Sequence, residues 1–281
     1  MPSSTLTVLN SLDSGPGSLR AEIAVANSGD TIVFAPSLNN LTIHLNTGEL
    51  VINKNLTIQG PGASLLSIDG GTHDTAFGLV YGSRVFEVEG AGTTVTLSGL
   101  TLTNGGGQAV ANVSHAGDGL GGAVLNYGAL TLSACTVSNS TCPYYEGPKG
   151  GGIYNAGTLT VSSCYLGNNY ANDFGHAEGG GIFNAAFLTV SNSDLEQNTT
   201  DGGGGGIYNG AGATATVTGS FIFENATYGE GGGIFNDKHA KLTIQSSRIT
   251  GNSDSNGVGA DLYNLGTVKI SKDSTVGSIG P

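Results

Sequence analysis

The chain has 281 residues, 49 of them glycine, with no tryptophan, and 9 Lys+Arg against 21 Asp+Glu for a formal charge of −12. That balance disfavours nucleic acid and anionic membrane surfaces as partners, and no apolar run approaches the length of a membrane span. Glycine at this frequency also argues against a helical protein, since each one weakens a helix by about 1 kcal/mol relative to alanine.

The opening MPSSTLTV lacks the basic and apolar regions of a signal peptide. Residues 5–9 (TLTVL) alternate as a first strand. Ser18 is placed to cap a helix whose apolar stripe is Leu19, Ile23 and Ala26, stopped by Asn27-Ser28-Gly29. This opening resembles the SGPGSLRxAIxxAN-x-GDTIxF start of many bacterial β-helix proteins, and the resemblance implies a helical N-terminal cap. Physics asks for the same thing, because an open solenoid end exposes core and unpaired strand edge. Arg20 reads as a cap salt bridge or a solvated group rather than a catalytic one. Thr31–Phe34, then LTIHL (41–45), LVI (50–52), LTIQG (56–60) and LLSIDG (65–70), give the first coils, with turns at 53–55 and 60–62. Residues 71–84 read as a loop off the stack. Strands return at VFEV (85–88), VTLSGLTL (95–102) and AVANV (109–113).

From Gly121 a strict repeat takes over. Gly150–Asn169 reads GGGIYNAGTLTVSSCYLGNN, and Gly179–Asn198 reads GGGIFNAAFLTVSNSDLEQN; further copies start at Gly204 and Gly231. The anchoring asparagines Asn126, Asn155, Asn184, Asn209, Asn236 and Asn264 are 29, 29, 25, 27 and 28 residues apart, a period that means a solenoid or array. Leu159-Thr160-Val161 and Leu188-Thr189-Val190 alternate with strand period. Each unit is therefore about three short strands joined by turns. Stacked units hydrogen-bond as parallel strands at roughly 4.8 Å. Val124, Ile153, Ile182, Ile207, Ile234 and Leu262 fall into one interior column, and the asparagines into an amide ladder. The fold class that follows is all-β, a right-handed parallel β-helix with a short N-terminal α-helical cap; a β-propeller, with about 40-residue blades, fits worse. The chain divides into a cap (1–34), irregular first coils (35–117), regular repeats (118–270) and an end (271–281) that lacks a cap helix and is expected to fray, all within one domain.

The Gly-Gly-[Ala/Gly]-[Ile/Val] runs, with Phe221-Ile-Phe-Glu-Asn225 as an FxxN element, resemble the GGAI/FxxN repeats of chlamydial polymorphic outer membrane proteins over roughly residues 95–270. The resemblance implies an extracellular or cell-surface β-helix, often an adhesin or autotransporter passenger. It specifies fold well and function poorly. No run of ten-residue amphipathic strands for a translocating barrel follows, so the relatives imply an excised piece of a longer protein.

β-Helices also include pectate lyases and polygalacturonases. The Asn-Thr-Asp, Asp-Asp, His-Gly and Arg-Ile-Lys segments of polygalacturonases are absent, and arginine occurs only at Arg20, Arg84 and Arg248. A variable loop with an acid precedes each Gly-Gly run: Asp118, Glu146, Glu178, Asp201 and Glu230. Stacking would bring these to one side, together with Asp173, His115, Tyr144, Tyr145, Tyr170, Phe174, His176 and Tyr228. Carboxylates beside aromatic rings bind sugars, and a suitably spaced pair among Glu146, Asp173, Glu178, Asp201 and Glu230 would hydrolyse a glycoside; the plainer reading is a set of solvated acids. No cofactor is called for, although crowded loop acids suit calcium or acquire raised pKa values. The column Leu125, Tyr154, Phe183, Tyr208, Phe235 and Tyr263 points away from the isoleucines and is expected to be covered rather than exposed. Cys135 and Cys164, one repeat apart, are expected as stacked buried thiols. The main expectation is a non-catalytic stalk or adhesin with a polysaccharide or cell-surface glycan as partner, open also to end-to-end self-association. The alternative is a carbohydrate-active enzyme, a lyase or glycoside hydrolase; one dominant cleft would favour the enzyme, evenly spread loops the adhesin.

Overall fold

A computed structural model describes residues 3–71, 82–107, 119–143, 147–173, 176–255 and 257–281. The chain winds as a right-handed parallel β-solenoid of about eight turns with one helix. Successive strands of one coil go to different sheets and pair with the equivalent strands of the next coil. Among the described residues this gives a ten-stranded sheet A, a nine-stranded sheet B, an eight-stranded sheet C and a four-stranded sheet D, all parallel. In one coil the path is Ile153–Asn155 in sheet C, Thr158–Ser162 in A, Tyr165–Gly167 in B and Tyr170–Asn172 in D. The fourth strand corrects the three-strand unit read from the sequence: its short polar segments lack an apolar alternation to reveal them. Likewise 95–102 is two strands, Thr94–Ser98 in sheet A and Thr101–Thr103 in sheet B.

In the six coils from Thr94–Ser98 to Lys241–Gln245 the bend from sheet A to sheet B is made by a single left-handed residue, Gly99, Ala134, Ser163, Asn192, Gly219 or Ser246, with φ from 47° to 59°. Because one such residue reverses side-chain facing without lengthening the chain, coils of similar length stack in register. Alternation then buries Leu159 and Val161 of sheet A and leaves Thr158, Thr160 and Ser162 outside. One continuous core results, running from Val8 to Leu262.

Three side-chain ladders run along the axis. Each repeat asparagine donates through Nδ2 to Oδ1 of the next, Asn126 to Asn155 (2.7 Å), Asn155 to Asn184 (2.7 Å), Asn184 to Asn209 (2.8 Å), Asn209 to Asn236 (2.8 Å) and Asn236 to Asn264 (2.7 Å). A second ladder at the B–D corner links Asn169, Asn198, Asn225 and Asn252 at 2.9 Å and ends on Asp261. A third lies at the A–B corner: the backbone N–H of Cys164, Ser193, Ser220 and Ser247 donates to the hydroxyl of the next coil's serine. Cys135 and Cys164 continue that column, with Cys135 N–H donating to Cys164 Sγ at 3.4 Å. Both thiols are buried.

At the N-terminal end the helix α1 (Leu19–Val25) is capped by Ser18, whose hydroxyl accepts from Ala21 N–H, and it buries Leu19 and Ile23. Arg20 pairs with Asp13 at 2.7 Å and donates to the Gly48 and Glu49 carbonyls. The segment 271–281, expected to fray, instead pairs Thr275–Val276 with Arg248–Ile249 as the ninth strand of sheet B. The strand read at 109–113 lies outside the described residues, as does most of the loop read at 71–84.

Candidate functional site

Each sheet presents a different outer face. On sheet A, Thr96, Thr131, Thr160, Thr189, Thr216 and Thr243 stack in one register. They are flanked by small or uncharged side chains until Lys241 and offer no acid, base or nucleophile.

On sheet C the outward column is Leu125, Tyr154, Phe183, Tyr208, Phe235 and Tyr263. The rings from Tyr154 to Tyr263 stack face to face with centroids 4.7–5.3 Å apart. Phe183, Tyr208 and Phe235 are less than one-tenth exposed. Their faces are spent on each other, so the stripe is covered packing and not a platform for a sugar ring. Lys149 closes over Phe183 at 4.5 Å and pairs with Glu178 at 2.5 Å. Tyr208 donates to Asp237 at 3.2 Å, and burial, with Glu178 and Asp237 beside it, pushes its phenol far above the ordinary range.

Among the described residues, the predicted loop acids Glu178, Asp201 and Glu230 do not form one cluster. The chain position above Glu178 is Lys149 and the one below is Gly203. Glu230 follows one coil further on, its carbonyl accepting from Gly204 N–H, so a glycine separates the two carboxylates. Asp201 belongs to a different column, beside sheet D: its N–H donates to Ala171 O, and its carboxylate accepts from the Tyr170 phenol at 2.7 Å. Tyr228, one coil on and 72% exposed, completes the trio that stacking does assemble. Asp173 accepts from Gly147 N–H at 3.2 Å, and His176 is exposed. His115, Asp118, Tyr144, Tyr145, Glu146 and Phe174 lie outside the described residues. Among the described residues, Glu49 and Asp194 are carboxyls that the fold pushes up, and neither is on a loop preceding glycines. No group of three or more His, Cys, Asp or Glu that could hold a metal occurs among the described residues.

Glu49 is closed to solvent. It pairs with the equally buried Arg84 at 2.5 Å and faces Glu87. Burial raises its pKa, Arg84 opposes the rise and Glu87 adds to it. Arg84 also donates to Leu120 O at 2.8 Å. This charge set ties early coils together, out of reach of a substrate.

The outer face of sheet B is where reactive groups converge. One column runs Thr136, Tyr165, Asp194, Phe221 and Arg248; the neighbouring one runs Ser138, Gly167, Glu196 and Phe223. Asp194 and Glu196 lie two apart on one strand, so both project outward, with backbone attachment points about 6.6–6.8 Å apart. The Tyr165 phenol donates to Glu196 Oε1 at 2.7 Å. It reaches there by lying across Gly167, where a Cβ would sit 2.3 Å from the phenol oxygen. Burial, the Glu196 bond and the two carboxylates push Tyr165 up to about 12, so the phenol keeps its proton. Burial first and Glu196 second raise Asp194. One coil on, Phe221, Phe223, Glu224, Arg248, Thr250 and Gly251 line a cavity of about 450 Å³. Phe221 is half exposed, and Arg248 is exposed, its Nε donating to Thr250 at 3.1 Å.

Sequence reasoning missed this site. Arg248 stands alone along the chain, and Asp194 and Glu196 sit outside the glycine loops. The available signal was positional: the outward places of the third strand, aligned coil by coil, spell Tyr, Asp, Phe, Arg.

No family model matches the chain, and no curated protein matches it in sequence. Among solved structures it is similar to the crystal structure of pectate lyase Pel9A, with a TM-score of 0.62 and 15% identity over 99% of this chain and 78% of that one. A pectin methylesterase in complex with a hexasaccharide (TM-score 0.46, 13% identity, 98% and 91% coverage) and pectin methylesterase PemA from Erwinia chrysanthemi (0.45, 11%, 96% and 80%) also align. At these identities the likeness to Pel9A shows the parallel β-helix fold, and the two methylesterases carry nothing further. No helix among the described residues is long and apolar enough to cross a membrane.

Proposed function

We propose that the protein is a carbohydrate-active β-helix enzyme that lays an extended glycan along the outer face of sheet B and acts on it with Asp194 and Glu196. The observation that carries this reading is the concentration on one face of a carboxyl pair, a bound phenol, exposed phenylalanine and an arginine. Phe221 offers an exposed ring for a sugar face, the carboxylates accept hydroxyl hydrogen bonds, and the cavity of about 450 Å³ is large enough for a monosaccharide-sized group. The stalk or adhesin expectation called for features spread evenly along the rod. Instead the reactive groups gather over four coils, which favours the enzymatic alternative. Export to the cell exterior, where polysaccharides are met, belongs to the same proposal, as does kinship with polymorphic outer membrane protein repeats.

The test is a binding and product-release assay on polygalacturonate, xylan, carboxymethylcellulose and β-1,3-glucan, with and without calcium. Saturable binding with product release is expected, the binding weakened by Phe221→Ala and the release lost in Glu196→Gln. Binding left intact by Phe221→Ala and by Arg248→Ala would place the ligand elsewhere and sink the reading.

A further inference from the structure

Resting on that reading, we infer that the sheet B cavity selects a glycan bearing one isolated carboxylate, with Arg248 taking the acid and neutral sugar units running on over Phe221 toward Asp194 and Glu196. The starting observation is a guanidinium without an anion. Acids outnumber Lys and Arg by 21 to 9 in this chain, yet the ion pairs among the described residues belong to Arg20, His44, Arg84 and Lys149. Arg248 makes none of them, although it lines the cavity of about 450 Å³. Its Nε donates to Thr250 Oγ1 at 3.1 Å, a bond along its own strand that holds the head group by one edge. Among the described residues its two terminal amino groups meet no acceptor.

The acids that could neutralise Arg248 are engaged elsewhere. Glu224 lines the same cavity, but its Oε2 accepts from Gln197, one coil back, at 3.1 Å. Asp273, one coil on, accepts from the Ser246 and Ser271 hydroxyls. A guanidinium held by one edge presents its remaining N–H groups as a planar fork, which matches a carboxylate with two parallel bonds. Phe221 and Phe223 line the cavity beside it and supply apolar surface for the face of the sugar that carries the acid.

The same column limits the acid to one. Arg248 pairs in register with Phe221, and Phe221 with Asp194. Two coils at about 4.8 Å each therefore separate the arginine's strand from the Asp194–Glu196 strand. A glycan laid along the axis reaches those side chains within its next units. Neutral units meet them as hydroxyl donors, whereas a second carboxylate there would face two acidic side chains that repel it. The Tyr165 phenol is already donated to Glu196 at 2.7 Å, so it gives no compensating hydrogen bond to a second anion. The selected ligand is thus distinct from a polymer with an acid on every unit.

The experiment measures dissociation constants by calorimetry for xylan and β-1,3-glucan oligosaccharides, each with and without one uronic acid branch, beside an oligogalacturonide and a neutral oligosaccharide carrying one sulfate. One branched compound should bind about tenfold more tightly than its unbranched parent, the worth of a charged fork pair. That advantage should shrink in high salt, vanish in Arg248→Gln with binding of the parent unchanged, and be only partly kept in Arg248→Lys. Arg248 is exposed, so the thermal midpoint of both variants should match the unmodified protein. Phe221→Ala should weaken branched and parent compounds alike. Equal binding of branched and parent compounds would overturn the inference and leave a neutral-glycan site, and so would an advantage that survives Arg248→Gln. Tightest binding of the oligogalacturonide would overturn the restriction to one acid. Equal binding of the sulfated compound would overturn selection of a carboxylate. Absence of binding to every probe would overturn both this inference and the reading beneath it.

Discussion

At the scale of single residues, two kinds of position carry the molecule. The interior ladder asparagines Asn155, Asn184, Asn209 and Asn236 are fully buried and bonded to an asparagine on both sides, so none is replaceable by an apolar group of its size. Asn184→Ala removes the acceptor of Asn155 and the donor of Asn209, leaving buried amide atoms short of partners. A loss of about 2–3 kcal/mol is expected, read as a lower urea midpoint at unchanged slope. Groove residues are the opposite case, tuned by one neighbour each. Glu196→Gln removes a charge beside Asp194 but not the burial, so carboxyl NMR should show the Asp194 midpoint falling while staying above the ordinary aspartate value; an unchanged midpoint would mean that Glu196 exerts no influence there. The ladder from Asn126 to Asn264 was legible in the sequence because the same residue recurs every 25–29 positions. The groove was not, because Tyr165, Asp194, Phe221 and Arg248 share a place and no chemistry, so repetition hides them.

Elements add the geometry of corners and faces. The position after the corner residue is Cys or Ser at five of the six A–B corners from Gly99 to Ser246, whereas the corner residue itself varies (Gly, Ala, Ser, Asn), yet all six lie in the left-handed region. Ala134, at φ 50°, is the corner residue with neither glycine's freedom nor a polar side chain to compensate. A left-handed alanine costs roughly 1–2 kcal/mol, and glycine's extra chain entropy returns about 0.5–1 kcal/mol of that. Ala134→Gly should therefore stabilise by a few tenths to about 1 kcal/mol, as a raised thermal midpoint. On sheet C the Lys149–Glu178 pair is about one-third exposed on the lysine side, and screening limits its worth. Lys149→Met should cost less than about 1 kcal/mol, and the cost should shrink further in high salt. The alternation that set strand faces was plain in Leu-Thr-Val and Leu-Thr-Ile runs. Sheet D was not, since Tyr170–Asn172 and Thr199–Thr200 are too short and polar to show a period.

For the whole molecule, the ionisable groups divide the pH axis. Asp30 is held low by the N–H groups of Ser4 and Asn27. For Asp13, burial works the other way, but bonds from Thr47 and Arg20 outweigh it. A lowered carboxylate stabilises the fold above its unfolded pKa, and that share is lost as pH falls through the folded value. Glu49 runs in the other direction. Its folded pKa is raised, so its contribution is fully present below about 4.5, the ordinary glutamate value, and declines as pH rises through the folded value. Chemical denaturation across pH should show stability falling on the acid side and also declining above about pH 4.5, with the second slope flattened in Glu49→Gln. An unaltered slope in that variant would remove Glu49 as its source. The all-β solenoid itself was readable from the 25–29-residue period; the Glu49–Arg84–Glu87 set was not, because 35 residues of sequence separate groups that a single coil brings together.

The in-register stacking has a genealogical consequence. From Asn126 to Asn264 each coil meets its neighbours through the same ladder residues, so a unit of 25–29 residues can be gained or lost between two of these coils without disturbing the pairing above or below. A duplication inserted after Asn198 would lengthen the sheet B groove by one strand and set a new pair of outward side chains between Glu196 and Phe223. Descendants of such an event would differ in how many strands the outer face of sheet B presents while keeping one architecture, which makes coil number a heritable trait as open to selection as any single substitution.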